Sequence, residues 1–379
     1  MKKFTDLGLS QPVLDALADC GYTAPTPIQQ AAIPIVSAGY DLIASAQTGT
    51  GKTAAFTLPL IDDIGKRPSS KGDTPLVLIL TPTRELAQQI DENIRAYGKH
   101  VGTRTVCVVG GVAAGPQIQA MRRGVDFVIA TPGRLIDLAE QGEMVFDDVE
   151  FLILDEADRM LDLGFVHDVR WIADRVPKPR QTLLFSATMS GAVRSLASTI
   201  QVNAQSVSVA PPQAVADNID QRVMFVEKVN KPELLLQVLK GDDTDRALVF
   251  TGTKVAASIV ARQLNNNGIK AEEIHSGKSQ SQRQRALEAF TRGKTRVLVA
   301  TDIVARGIDV EGISHVINYE LPEDAENYVH RIGRTARAGR AGVAVSLCCV
   351  QDVWYLRGVE RLVKQPLRVC EDHQWHSPT

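Results

Sequence analysis

The sequence predicts an α/β protein built on two mostly parallel sheets, each with helices on both faces. Three observations predict it. Short apolar runs rich in branched residues alternate with amphipathic helical patterns along almost the whole chain. A stretch with two prolines and small polar residues, 205–218, breaks that rhythm near the middle. The length of 379 residues suits two domains better than one.

In the first half, buried strands are expected at 42–46, 76–80, 105–109, 127–130, 151–154 and 182–185. Each is short, continuously apolar and followed by turn chemistry, as parallel strands covered on both faces require. After the proline-containing break a second series follows at 222–226, 247–250, 271–274, 297–300, 315–318 and 342–347. The expected organisation is a first domain over 1–208, a linker over 209–218 and a second domain over 219–369, with a short frayed tail at 370–379. The halves share an element pattern but no obvious sequence repeat.

Composition narrows the function classes. Hydrophobic residues make up 44% and charged residues 23%, so each half can bury a core. Five cysteines, an odd number without a CxxC pair, argue against a disulfide framework or zinc site and for a reducing compartment. Cys107, Cys348 and Cys349 lie in apolar runs and read as small core residues. The start of the chain lacks the pattern of a signal peptide, and no stretch is apolar and long enough for a bilayer. The reading is therefore cytoplasmic, without a membrane. The net charge of -2 speaks against a nucleic-acid partner unless Lys and Arg are concentrated locally. The aromatic share of 5% argues against broad stacking platforms.

Two motifs carry the chemistry. Ala46-Gln47-Thr48-Gly49-Thr50-Gly51-Lys52-Thr53 follows an apolar strand and precedes a helical pattern. Its glycines let backbone N–H groups turn inward around phosphate oxygens, and the following helix aims its positive end at the same anion. Lys52 can reach the β- and γ-phosphates of ATP, and the Thr53 hydroxyl can ligate Mg²⁺. Ala46 stands where the strict pattern has Gly, and a small residue still fits. The bland alternative is a glycine-rich turn with a surface lysine. The second motif is the strand 151–154 ending in Asp155-Glu156-Ala157-Asp158, which delivers carboxylates to the edge of a parallel sheet where ligands bind. Asp155 would hold Mg²⁺, and Glu156 would orient and deprotonate the attacking water. Alone, such an acidic strand end is more often a helix N-cap. Together the two motifs establish a P-loop nucleotide triphosphatase and no more.

Asp155-Glu-Ala-Asp158 spells the signature of the DEAD-box family of RNA helicases, and further motifs stand in that family's order and spacing. Residues 21–29, with Phe4 upstream, look like its Q motif. Pro82-Thr-Arg-Glu-Leu86, Gly110-Gly111 and Thr131-Pro-Gly-Arg134 resemble the RNA-contacting motifs of the first lobe, and Ser186-Ala-Thr188 the motif coupling hydrolysis to unwinding. In the second lobe, 248–254, Gln282–Arg285, 300–309 and His330-Arg-Ile-Gly-Arg-Thr-Ala-Arg337 complete the set. The resemblance covers roughly residues 4 to 365, and its wording is nearest the bacterial RhlE-like branch. It implies two tandem RecA-like domains.

The resemblance also implies roles. Gln29 offers a carbonyl and an NH₂ that match the N6 donor and N7 acceptor of adenine. Tyr22 can stack on the base, with Phe4 packed behind it; core packing is the alternative for both. Asp309 accepts from the ribose hydroxyls. Arg334 and Arg337, three apart and on one face if helical, act as arginine fingers for the γ-phosphate, supported by His330. Ala336 replaces the glycine usual in the family. Ser186 and Thr188 couple closure to opening. Arg84, Arg134 and Arg285 hold RNA phosphates, together with Gln282, Thr253, Gly133 and the backbone at Pro82–Thr83, Gly110–Gly111, Thr131 and Thr301–Asp302. The implied activity is ATP-dependent local unwinding of short RNA duplexes, or remodelling of RNA–protein complexes, by closure of two domains on single-stranded RNA. A monomer is expected, with protein partners supplying targeting. Two rivals stand beside it: an ATP-gated RNA clamp that rarely unwinds, and a DNA-directed translocase of the same superfamily.

Overall fold

The computed structural model describes residues 3–46, 49–67, 74–209, 218–241, 244–302, 310, 312–336 and 341–377. The chain packs as two compact units, Met1–Pro211 and Pro212–Thr379.

In the first unit the strands are β1 (Leu42–Ser45), β2 (Val77–Leu80), β3 (Thr105–Val108), β4 (Phe127–Ala130), β5 (Phe151–Leu154), β6 (Gln181–Ser186) and β7 (Gln205–Ser208). Its helices are α1 (Gln11–Asp19), α2 (Pro27–Ser37), α3 (Lys52–Lys66), α4 (Arg84–Tyr97), α5 (Ala114–Arg122), α6 (Pro132–Glu140), α7 (Ala157–Asp162), α8 (Val166–Arg175) and α9 (Gly191–Ile200). The strands form one sheet in the order β3-β4-β2-β5-β6-β1-β7, with every pair parallel. Side chains alternate across the pleat, which is why the central strands are apolar throughout. Val77 and Ile79 of β2 join a core with Ile33 of α2, Phe56 of α3 and Ile90 of α4. Leu78 and Leu80 point the other way, to Leu135 of α6, Ile172 of α8 and Leu196 of α9.

The second unit repeats the plan. Its strands are β8 (Ile219–Phe225), β9 (Ala247–Thr251), β10 (Ala271–Ile274), β11 (Val297–Thr301), β12 (His315–Asn318), β13 (Gly342–Cys348) and β14 (Arg368–Val369). Among the described residues its α-helices are α10 (Lys231–Lys240), α11 (Lys254–Asn266), α12 (Gln280–Thr291), α13 (Ala325–Ile332) and α14 (Val353–Val363). The order β10-β11-β9-β12-β13-β8-β14 is that of the first sheet with seven added to each label.

Two expectations are revised. The break expected from residue 205 begins later, because Gln205–Ser208 pairs with β1 as an edge strand. Of the expected linker, residues 210–217 lie outside the described residues. The tail is packed rather than frayed. β14 pairs only with Arg222 and Val223 of β8, which leaves the end of β8 without a neighbour on that side. The tail supplies one: Val226 bridges His376, and the Ser377 N–H donates to the Phe225 carbonyl at 3.1 Å. Trp375 packs against the core beneath α10 and α11. Backbone groups on a sheet edge seek partners, and no apolar periodicity advertises this. Among the described residues, no helix is long and apolar enough to cross a membrane.

Trp375→Ala is expected to lower the stability of the second unit by about 1–3 kcal/mol, less than for a fully buried tryptophan. Urea unfolding followed by far-UV circular dichroism reads the shift; an unchanged midpoint means the tail contributes nothing.

Candidate active site

Parallel pairing puts every strand's carboxyl end on one edge of the sheet, and the expected motifs of the first unit leave that edge, except residues 21–29, which precede β1. They divide into two neighbourhoods. β5, β6 and β1 are adjacent and end in Asp155, Ser186 and the loop from Ala46. β3, β4 and β2 are adjacent and run into Gly110–Gly111, Thr131–Arg134 and Pro82–Arg84.

The loop after β1 is anchored by the Ala46 N–H, which donates to the Ser186 carbonyl at 3.0 Å. Gly49 and Gly51 have φ of 83° and 90°, in the left-handed region that glycine enters without strain. Gly51 caps α3, and a Cβ there would lie 2.4 Å from Gln29 Nε2. Gln29 itself is a brace: its Oε1 accepts from the Thr26 N–H at 2.9 Å and its Nε2 donates to the Gly51 carbonyl at 3.1 Å. Each end of the amide keeps one further hydrogen-bonding position. The Q-motif helix α2 is thereby tied directly to the glycine loop, a link that the residue pattern alone does not reveal. Gln47 and Thr48 lie outside the described residues; Thr50 does not.

Lys52 opens α3 and is 6% exposed. Its ammonium has no hydrogen-bond partner among the described residues. Asp155 is 2% exposed, and burial pushes its carboxyl up to about 7, against the pull of the Lys52 charge. A buried unpartnered cation and a buried acid are costly alone. An anionic phosphate and a divalent cation are the groups that would relieve them, so the residues present fit a nucleotide with Mg²⁺ near Asp155 and the half-exposed Thr53.

Glu156 has φ 52° and ψ 52°, left-handed for a non-glycine residue, a strain of about 1–2 kcal/mol. Its carboxylate is buried and accepts from Arg159 Nη1 at 3.2 Å. Sequence alone gives no sign of the part Arg159 plays. Asp158 enters the sequence reading only as a letter of the signature, yet it makes the tightest link in the site. Its N–H donates to Ser186 Oγ at 3.2 Å, and its Oδ2 accepts from the N–H groups of Ala187 and Thr188 and from Thr188 Oγ1, at 3.2, 2.9 and 3.1 Å. Ser186 Oγ donates to the Thr188 carbonyl at 2.8 Å. The ends of β5 and β6 therefore move as one piece. Tyr22 is 47% exposed, with its hydroxyl 3.3 Å from that of Tyr97. Phe4 is buried in the core that includes α2 and α3.

In the other neighbourhood Thr83 caps α4, its side chain accepting from the Leu86 N–H at 3.4 Å. Arg84 lies against the diglycine: a Cβ on Gly111, whose φ is 75°, would sit 1.9 Å from Arg84 Nη1. The left-handed backbone favours glycine at 111, and a side chain there would also displace the Arg84 guanidinium. Thr131 caps α6, Gly133 is exposed in its first turn, and Arg134 donates to the Val112 carbonyl at 3.2 Å. Pro82 is buried.

The second unit gathers Thr253 after β9, Gln282 and Arg285 after β10, and Thr301–Asp302 at the end of β11, again on three adjacent strands. Thr253 caps α11 by accepting from the Ala256 N–H at 3.1 Å. Gln282 closes a capping box with Ser279, and Arg285 is exposed. The Asp302 carboxylate is engaged by Arg331 through two bonds of 2.6 and 2.7 Å. Arg331 is 2% exposed and also reaches Asn318 Oδ1 and the Glu320 carbonyl. It is a structural hub that joins α13 to the ends of β11 and β12.

The helix carrying His330 ends at Ile332, so Arg334 follows it in a turn rather than on a helical face. Arg334 is buried and donates to the His330 carbonyl at 3.3 Å. Arg337 and Asp309 lie outside the described residues. Ala336 is not helical: its φ is 55°. This segment lies against the start of β13, where a Cβ on Gly342 would sit 2.8 Å from the Ala336 nitrogen. An alanine here carries strain that glycine would not, offset in part by the greater freedom of an unfolded glycine. Ala336→Gly is expected to raise stability by about 0.5–1 kcal/mol. Chemical denaturation reads this, and a loss of stability contradicts the strained geometry.

Comparison with known proteins agrees with this arrangement. Residues 26–196 match the DEAD/DEAH box helicase family and residues 230–339 the helicase conserved C-terminal domain. The chain is 42% identical over 368 residues to RNA helicase CrhR of Synechocystis, covering 97% of this chain and 74% of that protein. It is 40% identical over 377 residues to ATP-dependent RNA helicase CshA of Listeria monocytogenes, covering 99% and 71%. Among solved structures it resembles S. cerevisiae Dbp5 bound to RNA and ADP BeF3, with a TM-score of 0.88 and 29% identity over 99% of this chain and 97% of that one. The two sheets are the tandem RecA-like domains of such proteins, and the chain belongs to the DEAD-box family of ATP-dependent RNA helicases.

Proposed function

We propose that this chain hydrolyses ATP in the loop between β1 and α3 and couples that hydrolysis to closure of its two units on single-stranded RNA, opening short duplexes or remodelling RNA–protein complexes. The observation that carries the nucleotide assignment is the buried Lys52 ammonium, which lacks a hydrogen-bond partner among the described residues and sits at the start of α3 behind two left-handed glycines. An orphaned cation at a helix N-terminus fits a phosphate. Gln29 and Tyr22 receive adenine, Ala46–Thr53 the phosphates, and Asp309 the ribose. Mg²⁺ would be held by Thr53 and Asp155, where it would neutralise phosphate charge. Glu156 orients and deprotonates water. Arg334 and Arg337 belong to the second unit, so they complete the charge stabilisation of phosphoryl transfer only after closure.

RNA enters as phosphate contacts from Arg84, Arg134 and Arg285 and from the backbone at the helix starts after β2, β4 and β9, which reconciles RNA binding with a net charge of -2. ATP and RNA favour closure jointly, and Asp158 transmits it between the signature and Ser186–Thr188. The protein acts as a monomer in the cytoplasm, and protein partners supply targeting.

RNA-stimulated ATP turnover tests the assignment. Lys52→Ala is expected to abolish it, and near-full turnover removes the phosphate cradle. Arg334→Ala is expected to slow it on the order of a thousand-fold with ATP binding retained; equal losses in both remove the finger role.

A further inference from the structure

The outer face of α14 carries a feature that the ATP and RNA motifs do not use. Trp354 is 69% exposed, on a chain whose aromatic share is only 5%. Arg357 and Arg361 follow it at steps of three and four residues, so these three side chains form one stripe on the helix, and Lys364 caps its end. All are exposed, and the Arg361 guanidinium lies 6.0 Å from the Trp354 ring centroid. They line a groove of about 560 Å³ with Glu360 and Pro366. Glu360 is the acid in that lining, and it serves the fold, because its Oε1 accepts from the Leu367 N–H at 3.0 Å. The opposite face of α14, through Leu356 and Val359, is locked into the core with Tyr328 of α13, Val223 of β8 and Ala344 of β13. The stripe is therefore held on a rigid support.

We propose that this stripe is an accessory binding face for single-stranded RNA flanking the segment held by the helicase motifs. This rests on the RNA-dependent reading above. A base can stack on the indole, and the three cations can take phosphates on either side of it. Three cations beside an aromatic face, in a molecule with a net charge of -2, complement a polyanion with π-faces. The face is separate from the RNA motifs of this unit, which follow β9, β10 and β11. Its supporting strand β8 lies three strand positions from β9, about 14 Å at the usual strand spacing. An oligonucleotide whose length is used up by the main site leaves this face empty, whereas a longer one engages both.

Fluorescence anisotropy with the full chain and labelled oligouridylates of about 10 and about 30 nucleotides tests this, the shorter matching a typical single-site length. Trp354→Ala and the double variant Arg357→Glu/Arg361→Glu are expected to weaken binding of the long RNA by about tenfold or more and to leave the short RNA unchanged. Trp354→Phe is expected to retain most of the long-RNA affinity, and the double variant to show a shallower salt dependence. Loss of affinity for neither length, as expected of a face serving a protein partner, overturns the proposal, as does equal loss for both. ATP turnover stimulated by the short RNA is measured alongside. Its absence in the unsubstituted protein overturns the helicase reading. Its presence in all variants, with an unaltered preference for long RNA, overturns the α14 face alone.

Discussion

The constraint on which the rest depends is parallel pairing of strands buried on both faces. A parallel pair needs a crossover, and here the crossovers are helices that cover the sheet. Every strand then ends on the same edge, and the expected motifs other than residues 21–29 follow the strands that end there. Strand order decides which motifs become neighbours. Because β5, β6 and β1 are adjacent, the acidic signature, the Ser186–Thr188 segment and the glycine loop meet. Because β3, β4 and β2 are adjacent, Arg84 reaches across Gly111, and Arg134 lies close enough to bond the Val112 carbonyl.

The second sheet repeats the order of the first, and the repetition extends to single residues. Thr83 after β2 and Thr253 after β9 occupy equivalent positions. Their backbone angles are -134°, 154° and -131°, 153°, and each side chain caps the following helix. A threonine hydroxyl satisfies one orphan N–H and leaves others at the helix start open to an anion. The two units thus present matched helix starts, the backbone arrangement on which the proposed phosphate recognition rests. This kind of recognition adds no net charge, so a slightly acidic chain can use it.

Buried charge divides into groups satisfied within the fold and groups that are not. The Arg331–Asp302 pair is satisfied internally, with Asn318 and the Glu320 carbonyl taking further donors. Removing one partner of such a pair typically costs about 3–5 kcal/mol, so it fixes the unit that carries Arg334. Glu156 is paired with Arg159, and Asp158 is saturated by the segment after β6. Lys52 and Asp155 differ: among the described residues one has no hydrogen-bond partner, and the other is pushed by burial toward its neutral form. The strained conformations of Glu156 and Ala336 lie in these same segments.

The sequence by itself determined the fold class, the strands to within a few residues except the edge strands β7 and β14, and the identity of the motifs. These are local properties: apolar runs two faces deep, glycines where φ turns positive, and a lysine–threonine pair at a helix start. Only the tertiary structure decided the rest, because it depends on residues distant in sequence. Gln29 bonding the Gly51 carbonyl, Asp158 holding Thr188, Arg331 holding Asp302 and the tail closing the end of β8 all join separate elements. No periodicity encodes such pairs. Ala336 shows the same limit at one residue: its letter gives no sign of the left-handed turn that accompanies packing against Gly342 and β13.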